Sequence, residues 1–156
     1  MMDFEVIEDQ IVSHLSKNMK KDDKIIIEVL GEHDGDYDLP FGKKKIIIAF
    51  SNEEPDPMSN SFDIVNQPTM VVFSILMQSK TRRGENGIYQ LAAGIKLHLT
   101  GYQPKDGESF KYAGMRFEQK IKDVFEYSMD FKTKSMVVQK TYEEEGPKFK
   151  NSTYTQ

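Results

Sequence analysis

Apolar residues recur at spacings of three and four over the first nineteen residues of the chain. The series consists of Phe4, Ile7, Ile11, Leu15 and Met19. This spacing places all five side chains on one face of an α-helix. Asp3 precedes the series, and its carboxylate can accept hydrogen bonds from the free N–H groups of a first helical turn. The pattern therefore predicts an amphipathic helix over residues 3–19.

Three apolar stretches follow, at residues 24–30, 45–50 and 69–78, and each favours a β-strand. The first is almost continuously β-branched, which predicts a strand buried on both faces. The third begins after Pro68, a residue tolerated at the first position of a strand. Its apolar residues occupy both faces, so we expect this strand to be central in a sheet or to lie at an interface.

The segments between these strands are long and polar. Residues 31–44 are rich in Gly and Asp, and residues 51–67 contain Pro55 and Pro57. Loops of this length are unusual in a compact domain and are often functional. We therefore expect both segments to be binding loops.

A second helix is predicted over residues 86–100, with Gly101 ending it. Its apolar stripe consists of Ile88, Leu91, Ala92, Ile95 and Leu99. Gly94 interrupts the helix interior at a cost of about 1 kcal/mol relative to alanine. We expect this glycine to allow close contact with the sheet.

The last third of the chain predicts a long β-hairpin. In residues 109–120 the apolar phase shifts around Ala113 and Gly114, as a β-bulge would produce. Residues 124–138 alternate between apolar and polar positions, which is the period of a half-buried strand. The polar residues 139–156 then predict a flexible extension.

Together these elements predict an α+β fold. We expect a single domain over residues 1–138, with a mixed or antiparallel sheet of about five strands packed against two helices. The long C-terminal β-hairpin closes that domain, and residues 139–156 extend beyond it.

The amino-acid composition excludes several classes of function. The chain has no cysteine, which excludes disulfides, thiolate metal sites and a cysteine nucleophile. Its net charge of −4 is unlike the basic stripe of duplex-binding proteins, so no specific nucleic acid is expected as a partner. The sequence shows neither a signal peptide nor an apolar run long enough to cross a membrane. We expect a protein made in a reducing cytoplasm and not associated with a membrane.

The acidic segment around Asp34, Asp36 and Asp38 resembles the opening of an EF-hand calcium loop. Position six of that loop should be glycine but is Leu39, and position twelve should be glutamate but is Lys45. The remaining interpretations are a weak divalent site or, as we favour, an acidic turn.

A metal-dependent nuclease is the alternative from another functional class. Asp56, Glu118 and Lys120 would supply two carboxylates and a lysine. The carboxylates are far apart in sequence, and an acidic residue two positions before a lysine recurs by chance. His14, His33 and His98 lack the spacing of a zinc helix. We therefore expect no enzymatic activity, no catalytic residues, no metal and no cofactor.

The stretch from Thr69 to Val138 resembles the Mu-like phage minor tail protein family, which is related to tail terminator proteins. The likeness begins with a strand that ends in a polar, basic turn (71–83), followed by a helix from Ile88. The segment Leu99-Thr100-Gly101-Tyr102-Gln103-Pro104 matches the leucine, glycine, aromatic, proline signature of that family. An aromatic hairpin around residues 125–131 completes it.

This resemblance implies a structural virion protein that forms a ring, of six subunits in that family, at the head-proximal end of a tail tube. The ring stops tube growth, and its partners are other copies of itself, the tail tube protein, the sheath and head-completion proteins. It implies assembly in the bacterial host cytoplasm and a final location in the virion tail. A monomeric neck or tail-assembly adaptor is the alternative within the same class.

Two charged loops are the candidate contact sites in such a ring. The acidic loop contains Asp34, Asp36 and Asp38, and the basic loop contains Lys80, Arg82 and Arg83. Opposite charges suit complementary faces of neighbouring subunits, although exposed pairs contribute only about 0–1 kcal/mol each.

Overall fold

The computed structural model describes residues 1–19, 24–32, 39–57 and 66–138 of the chain. In chain order the elements are α1 (Phe4–Met19), β1 (Ile25–Val29), β2 (Lys44–Pro55), β3 (Asn66–Ser79), α2 (Ile88–Leu99), β4 (Lys111–Ile121) and β5 (Val124–Val138). The strands form one sheet in the order β1-β2-β3-β5-β4. β1 is parallel to β2, and the other neighbours are antiparallel. The predicted α+β class, with a mixed five-stranded sheet and two helices, is confirmed.

The hydrophobic core lies between one face of the sheet and the two helices. Phe73 and Phe131, on neighbouring central strands, are fully buried there beside Ile11 of α1 and Ile95 of α2. The opposite face carries half-buried residues such as Leu76. Within the described residues, no helix covers that second face.

Helix α1 forms as its sequence pattern predicts. The Asp3 carboxylate accepts hydrogen bonds from the backbone N–H groups of Glu5 (3.1 Å) and Val6 (3.3 Å). These two groups would otherwise lack partners at the helix start, so Asp3 stabilises this end. The apolar stripe turns inward, with Ile7 and Leu15 buried.

Strand β1 differs from its prediction. It is an edge strand, and all five of its residues are only half-buried. The expectation of burial on both faces is therefore wrong. A run of isoleucines indicates a strand, but the number of neighbours around that strand is a property of the topology.

The predicted loop over residues 51–67 is wrong at both ends. β2 continues to Pro55 after a register shift near Ser51, and β3 already begins at Asn66. Pro68 is thus the third residue of β3 and not its first. The polar end of β2 is exposed and lies beyond the five residues of β2 that pair with β1. Its outer edge is therefore unpaired among the described strands and tolerates Pro55.

Helix α2 begins at Ile88, two residues later than predicted. Gly94 does not face the sheet, as its position suggested, but faces α1. A Cβ atom at this glycine would lie 2.7 Å from the Met19 Cε atom. The glycine therefore brings the two helices together, and the predicted contact with the sheet is wrong. Gly101, with φ of 87°, ends the helix as expected.

The β4–β5 hairpin is confirmed. Its register shifts between Tyr112 and Met115, where Gly114 has φ of 125°, as the predicted bulge requires. A second shift after Phe117 was not predicted. The connecting turn consists of Lys122 and Asp123, with φ of 51° and 67°. The predicted extension, residues 139–156, lies outside the described residues.

Candidate interaction surface

Strand β4 forms an open edge of the sheet. It pairs with β5 on one side, and no strand of the described part of the chain pairs with its other side. Apolar side chains remain exposed along it, with Phe117 at 53% and Ile121 at 55%. An open strand edge presents unpaired N–H and C=O groups to another chain, and exposed apolar side chains favour its burial. β4 is therefore a candidate interaction edge.

Aromatic contacts hold the side chains of this edge in place. The Phe117 ring meets the Tyr127 ring edge-on at 5.2 Å, and Tyr127 meets Tyr89 of α2 at 6.1 Å. Tyr112 packs on Phe131 at 5.8 Å. Edge-on aromatic pairs add about 0.5–1.5 kcal/mol beyond their buried area. The exposed rings are thus ordered before any partner arrives.

The predicted basic loop is exposed, but its cations differ in their contacts. The Arg82 guanidinium donates a hydrogen bond to the Tyr89 hydroxyl (3.1 Å) and lies 5.4 Å from the Phe125 ring. Hydrogen bonding to Tyr127 and the charge of Tyr89 raise the pKa of Arg82. Conversely, hydrogen bonding to Tyr89 and the nearby guanidinium lower the pKa of Tyr127. Arg82 is therefore partly engaged within its own subunit.

The predicted acidic residues Asp34, Asp36 and Asp38 lie outside the described residues. The segment that follows them contacts the basic loop, because the Lys80 ammonium lies 5.5 Å from the Phe41 ring. Phe41, at the described end of the predicted loop over residues 31–44, therefore lies beside Lys80 in the same subunit.

A polar network crosses the uncovered face between β3, β5 and β4. Arg116 pairs with Glu118 (2.9 Å) and with Asp130 (3.1 Å), and these carboxylates raise its pKa, Asp130 most strongly. Ser74 donates to Asp130 (2.7 Å), and Ser128 donates to Glu118. The network joins three strands and fixes β4 in register.

A groove of about 670 Å³ opens at the hairpin end of the same face. Its walls are mainly apolar and include Leu30, Ile47, Leu76, Ile121 and Val124. Gln78 also lines it and donates from Nε2 to Glu126 (3.3 Å). Its buried Oε1 atom has no donor in the described part of the chain. The groove joins the apolar tip of β4 and extends the candidate surface onto the uncovered face.

The residues of the nuclease alternative do not come together. Asp56 pairs with Lys134 on β5 (3.2 Å), whereas Glu118 accepts from Ser128 of the same strand. Ser128 and Lys134 are six positions apart on the extended strand, or about 20 Å. The Lys120 ammonium lies over the Phe125 ring at 5.0 Å. The arrangement offers no shared metal position to these two carboxylates.

The His14 side chain has packing and hydrogen-bond contacts. His14 stacks on Tyr102 at 4.1 Å, and its Nε2 atom donates to the His98 carbonyl (2.7 Å). His33 lies outside the described residues. Over residues 1–19, 24–32, 39–57 and 66–138, no group of three histidine, aspartate or glutamate side chains is placed to hold a metal ion.

Neither described helix has the length and apolar character needed to cross a membrane.

Sequence reasoning missed the exposed aromatic and aliphatic residues of β4. Tyr112 and Phe117 lie next to charged residues and are ordinary positions of the strand predicted over residues 109–120, whereas Ile121 lies just beyond that predicted strand. A usable signal was present, because charged side chains such as lysine beside the apolar residues are typical of an edge strand. The strand order was needed to recognise it.

Comparison with known protein families gives a match over almost the whole chain. A family model described as Gp37 protein matches residues 11–156. The chain belongs to the Gp37 protein family. A search of curated proteins finds no match. The Gp37 family is phage-associated, which confirms the phage association implied by the resemblance.

Proposed function

We propose that this Gp37-family protein is a structural tail protein of a phage or phage-like particle and acts as a tail terminator. It forms a ring at the head-proximal end of the tail tube, stops tube growth and offers a platform to head-completion proteins. The observation that carries this proposal is the open β4 edge, where Phe117 and Ile121 remain exposed. The terminator role and the number six come from the family resemblance.

An open edge suits assembly from identical subunits. Subunits that meet through two different surfaces either close into a ring or grow into a filament. A protein that halts a polymer has to close. The tail tube protein and the sheath would then contact the faces of the ring.

The proposed role is not enzymatic. The carboxylates of the nuclease alternative are engaged with Lys134 and Arg116 at separate places on the sheet. We propose that the protein works without a cofactor, a bound metal or a specific nucleic acid, and that it resides in the virion tail.

Native mass spectrometry and negative-stain microscopy of the full chain test the proposal, with and without the tail tube protein. We expect closed rings of one subunit number. Phe117→Lys should reduce the ring population, because it places a charge on the apolar edge. Leu97→Lys is the matched control, since Leu97 is exposed on α2 and belongs to no contact described above.

A monomer under both conditions would overturn the terminator role and leave the adaptor role in its place. Equal ring formation by both lysine variants would show that the ring does not use β4. Circular dichroism of each variant establishes that the fold is intact.

A further inference from the structure

Charge is divided unevenly along the chain. Residues 1–79 contain fifteen acidic and seven basic residues, whereas residues 80–138 contain eleven basic and seven acidic residues. The first segment supplies α1, β1, β2 and β3, and the second supplies α2, β5 and β4. An acidic half is thus followed by a basic half.

Because of the strand order, the two segments lie on opposite sides of the sheet. β1 and β4 are the two ends of the order β1-β2-β3-β5-β4, so the described part of the first segment, with nine acidic and five basic residues, occupies one side and the basic segment the other. α1 packs over β1 and β2 and adds the exposed carboxylates of Glu5 and Asp9 to the acidic side. Lys111 and Lys120 are exposed on β4 at the basic side.

Both ends of the sheet are open within the described residues. No described strand pairs with the outer side of β1, just as none pairs with the outer side of β4. β1 consists of apolar residues apart from Glu28, and all of them are half-buried. Each subunit therefore presents an apolar edge on its acidic side and an aromatic edge on its basic side.

Pairing of β4 with a second β4 is disfavoured by charge. It would bring Lys111, Arg116 and Lys120 of each strand against the same three cations. The single carboxylate of β4, Glu118, already pairs with Arg116. Like charges placed opposite each other across strands are destabilising.

We propose that β4 of one subunit pairs with β1 of a second copy of this chain, so that the sheet continues across the subunit boundary. The proposal rests on the proposed ring, which supplies the neighbouring copy. β4 runs antiparallel to β1 within one subunit, as the pairings along the sheet require. A side-by-side repeat preserves strand directions, so the pairing between subunits is antiparallel.

Cysteine cross-linking tests this pairing directly, because the chain contains no cysteine of its own. Ile26→Cys on β1 is combined in turn with Lys111→Cys, Gln119→Cys or Ile121→Cys on β4. Disulfides require Cα atoms within about 7 Å, so oxidation together with a short bismaleimide linker samples neighbouring registers. We expect at least one double variant to give a covalent ladder longer than a dimer.

The single variants and Leu97→Cys with Ile26→Cys are the controls. A chain with one cysteine forms at most a linked dimer, so a ladder requires both edges. Mixing the two single variants should give a linked pair containing one copy of each. If native mass shows rings while no double variant gives a ladder, the edge pairing is wrong and the ring stands. If no oligomer forms even with the tube protein, the proposed function itself fails.

A charge variant supplies an independent measurement. Lys111→Glu should weaken assembly by about two- to fivefold at low salt, because it places a carboxylate on the edge that meets the acidic side. The difference should shrink as salt screens the charges. Lys105→Glu makes the same charge change in the loop beside α1, on the acidic side, and should not weaken assembly. Equal weakening by both variants would contradict a specific role of the β4 charge.

Discussion

Arg82 differs from the other cations of the basic loop because tyrosines hold its guanidinium. The guanidinium donates a hydrogen bond to the Tyr89 hydroxyl. Contact with Tyr127 raises the pKa of Arg82, and the pKa of Tyr127 is lowered. The sequence predicted an exposed cation available for a neighbouring subunit. It could not show the tyrosines, since Tyr127 lies far along the chain and approaches only through the β3–β5 pairing. Reversing the charge of Arg82 would therefore disturb its own subunit as well as any interface.

Replacing Arg82 by glutamine should raise the pKa of Tyr127 toward its ordinary value of about 10. Hydrogen bonding to Tyr89 lowers the pKa of Tyr127 most, and the hydrogen bond and charge of Arg82 lower it further. Removing Arg82 takes away that second contribution. Between the lowered pKa and about 10 the unfolded chain holds more protons, so this group adds stability as pH rises through that range. Near-ultraviolet absorbance during a pH titration follows the phenolate. Arg83→Gln is the control, and an equal shift in both variants would refute the pairing.

At the scale of elements, local periodicity predicted α1, α2 and the hairpin, because their apolar faces repeat within a few residues. The far end of β2 was missed. Asn52, Glu53 and Glu54 are polar and Pro55 follows them, and only their register with residues 69–72 of β3 makes them a strand. The half-buried state of β1 was missed for a related reason, since the edge position follows from the strand order. Long-range pairing thus decided what local pattern could not.

Gly87, the N-cap of α2, and Gly94, within α2, should differ in how much an alanine substitution destabilises the fold. A Cβ at Gly87 would collide with the carbonyl of Arg82 and lie 2.6 Å from that of Arg83, and backbone atoms cannot move aside easily. Gly87→Ala should cost about 1–3 kcal/mol of unfolding free energy. At Gly94 the obstacle is the flexible end of Met19, so the gain in helix propensity of up to about 1 kcal/mol offsets most of the strain.

Urea denaturation of both alanine variants measures the difference. A loss at Gly94 as large as that at Gly87 would mean that the α1–α2 contact is too tight for Met19 to turn away.

On the scale of the whole molecule, the candidate surface depends on a topology that the sequence did not reveal. The excess of acidic residues before residue 80 and of basic residues after it can be counted from the sequence. The two kinds of charge lie on opposite sides of the sheet only because β5 lies between β3 and β4, which leaves β1 and β4 at opposite ends. Lys80 of the predicted basic loop, by contrast, lies beside Phe41 of the same subunit.

The tight turn at Lys122 and Asp123 has a consequence for the order of folding. β5 meets β4 through two residues, whereas it reaches β3 only after more than forty intervening residues. Closing the longer loop costs more entropy, so we expect the hairpin to form before the β3–β5 pairing. The hairpin would then belong to the folding nucleus.

Both turn residues have positive φ, the backbone of a type I′ turn, which Asn-Gly adopts with less strain. Lys122→Asn with Asp123→Gly should therefore stabilise the fold by about 1–2 kcal/mol. If the hairpin forms early, stopped-flow refolding should accelerate by nearly the whole of that gain while unfolding hardly changes. A gain found only as slower unfolding would place hairpin formation after the rate-limiting step.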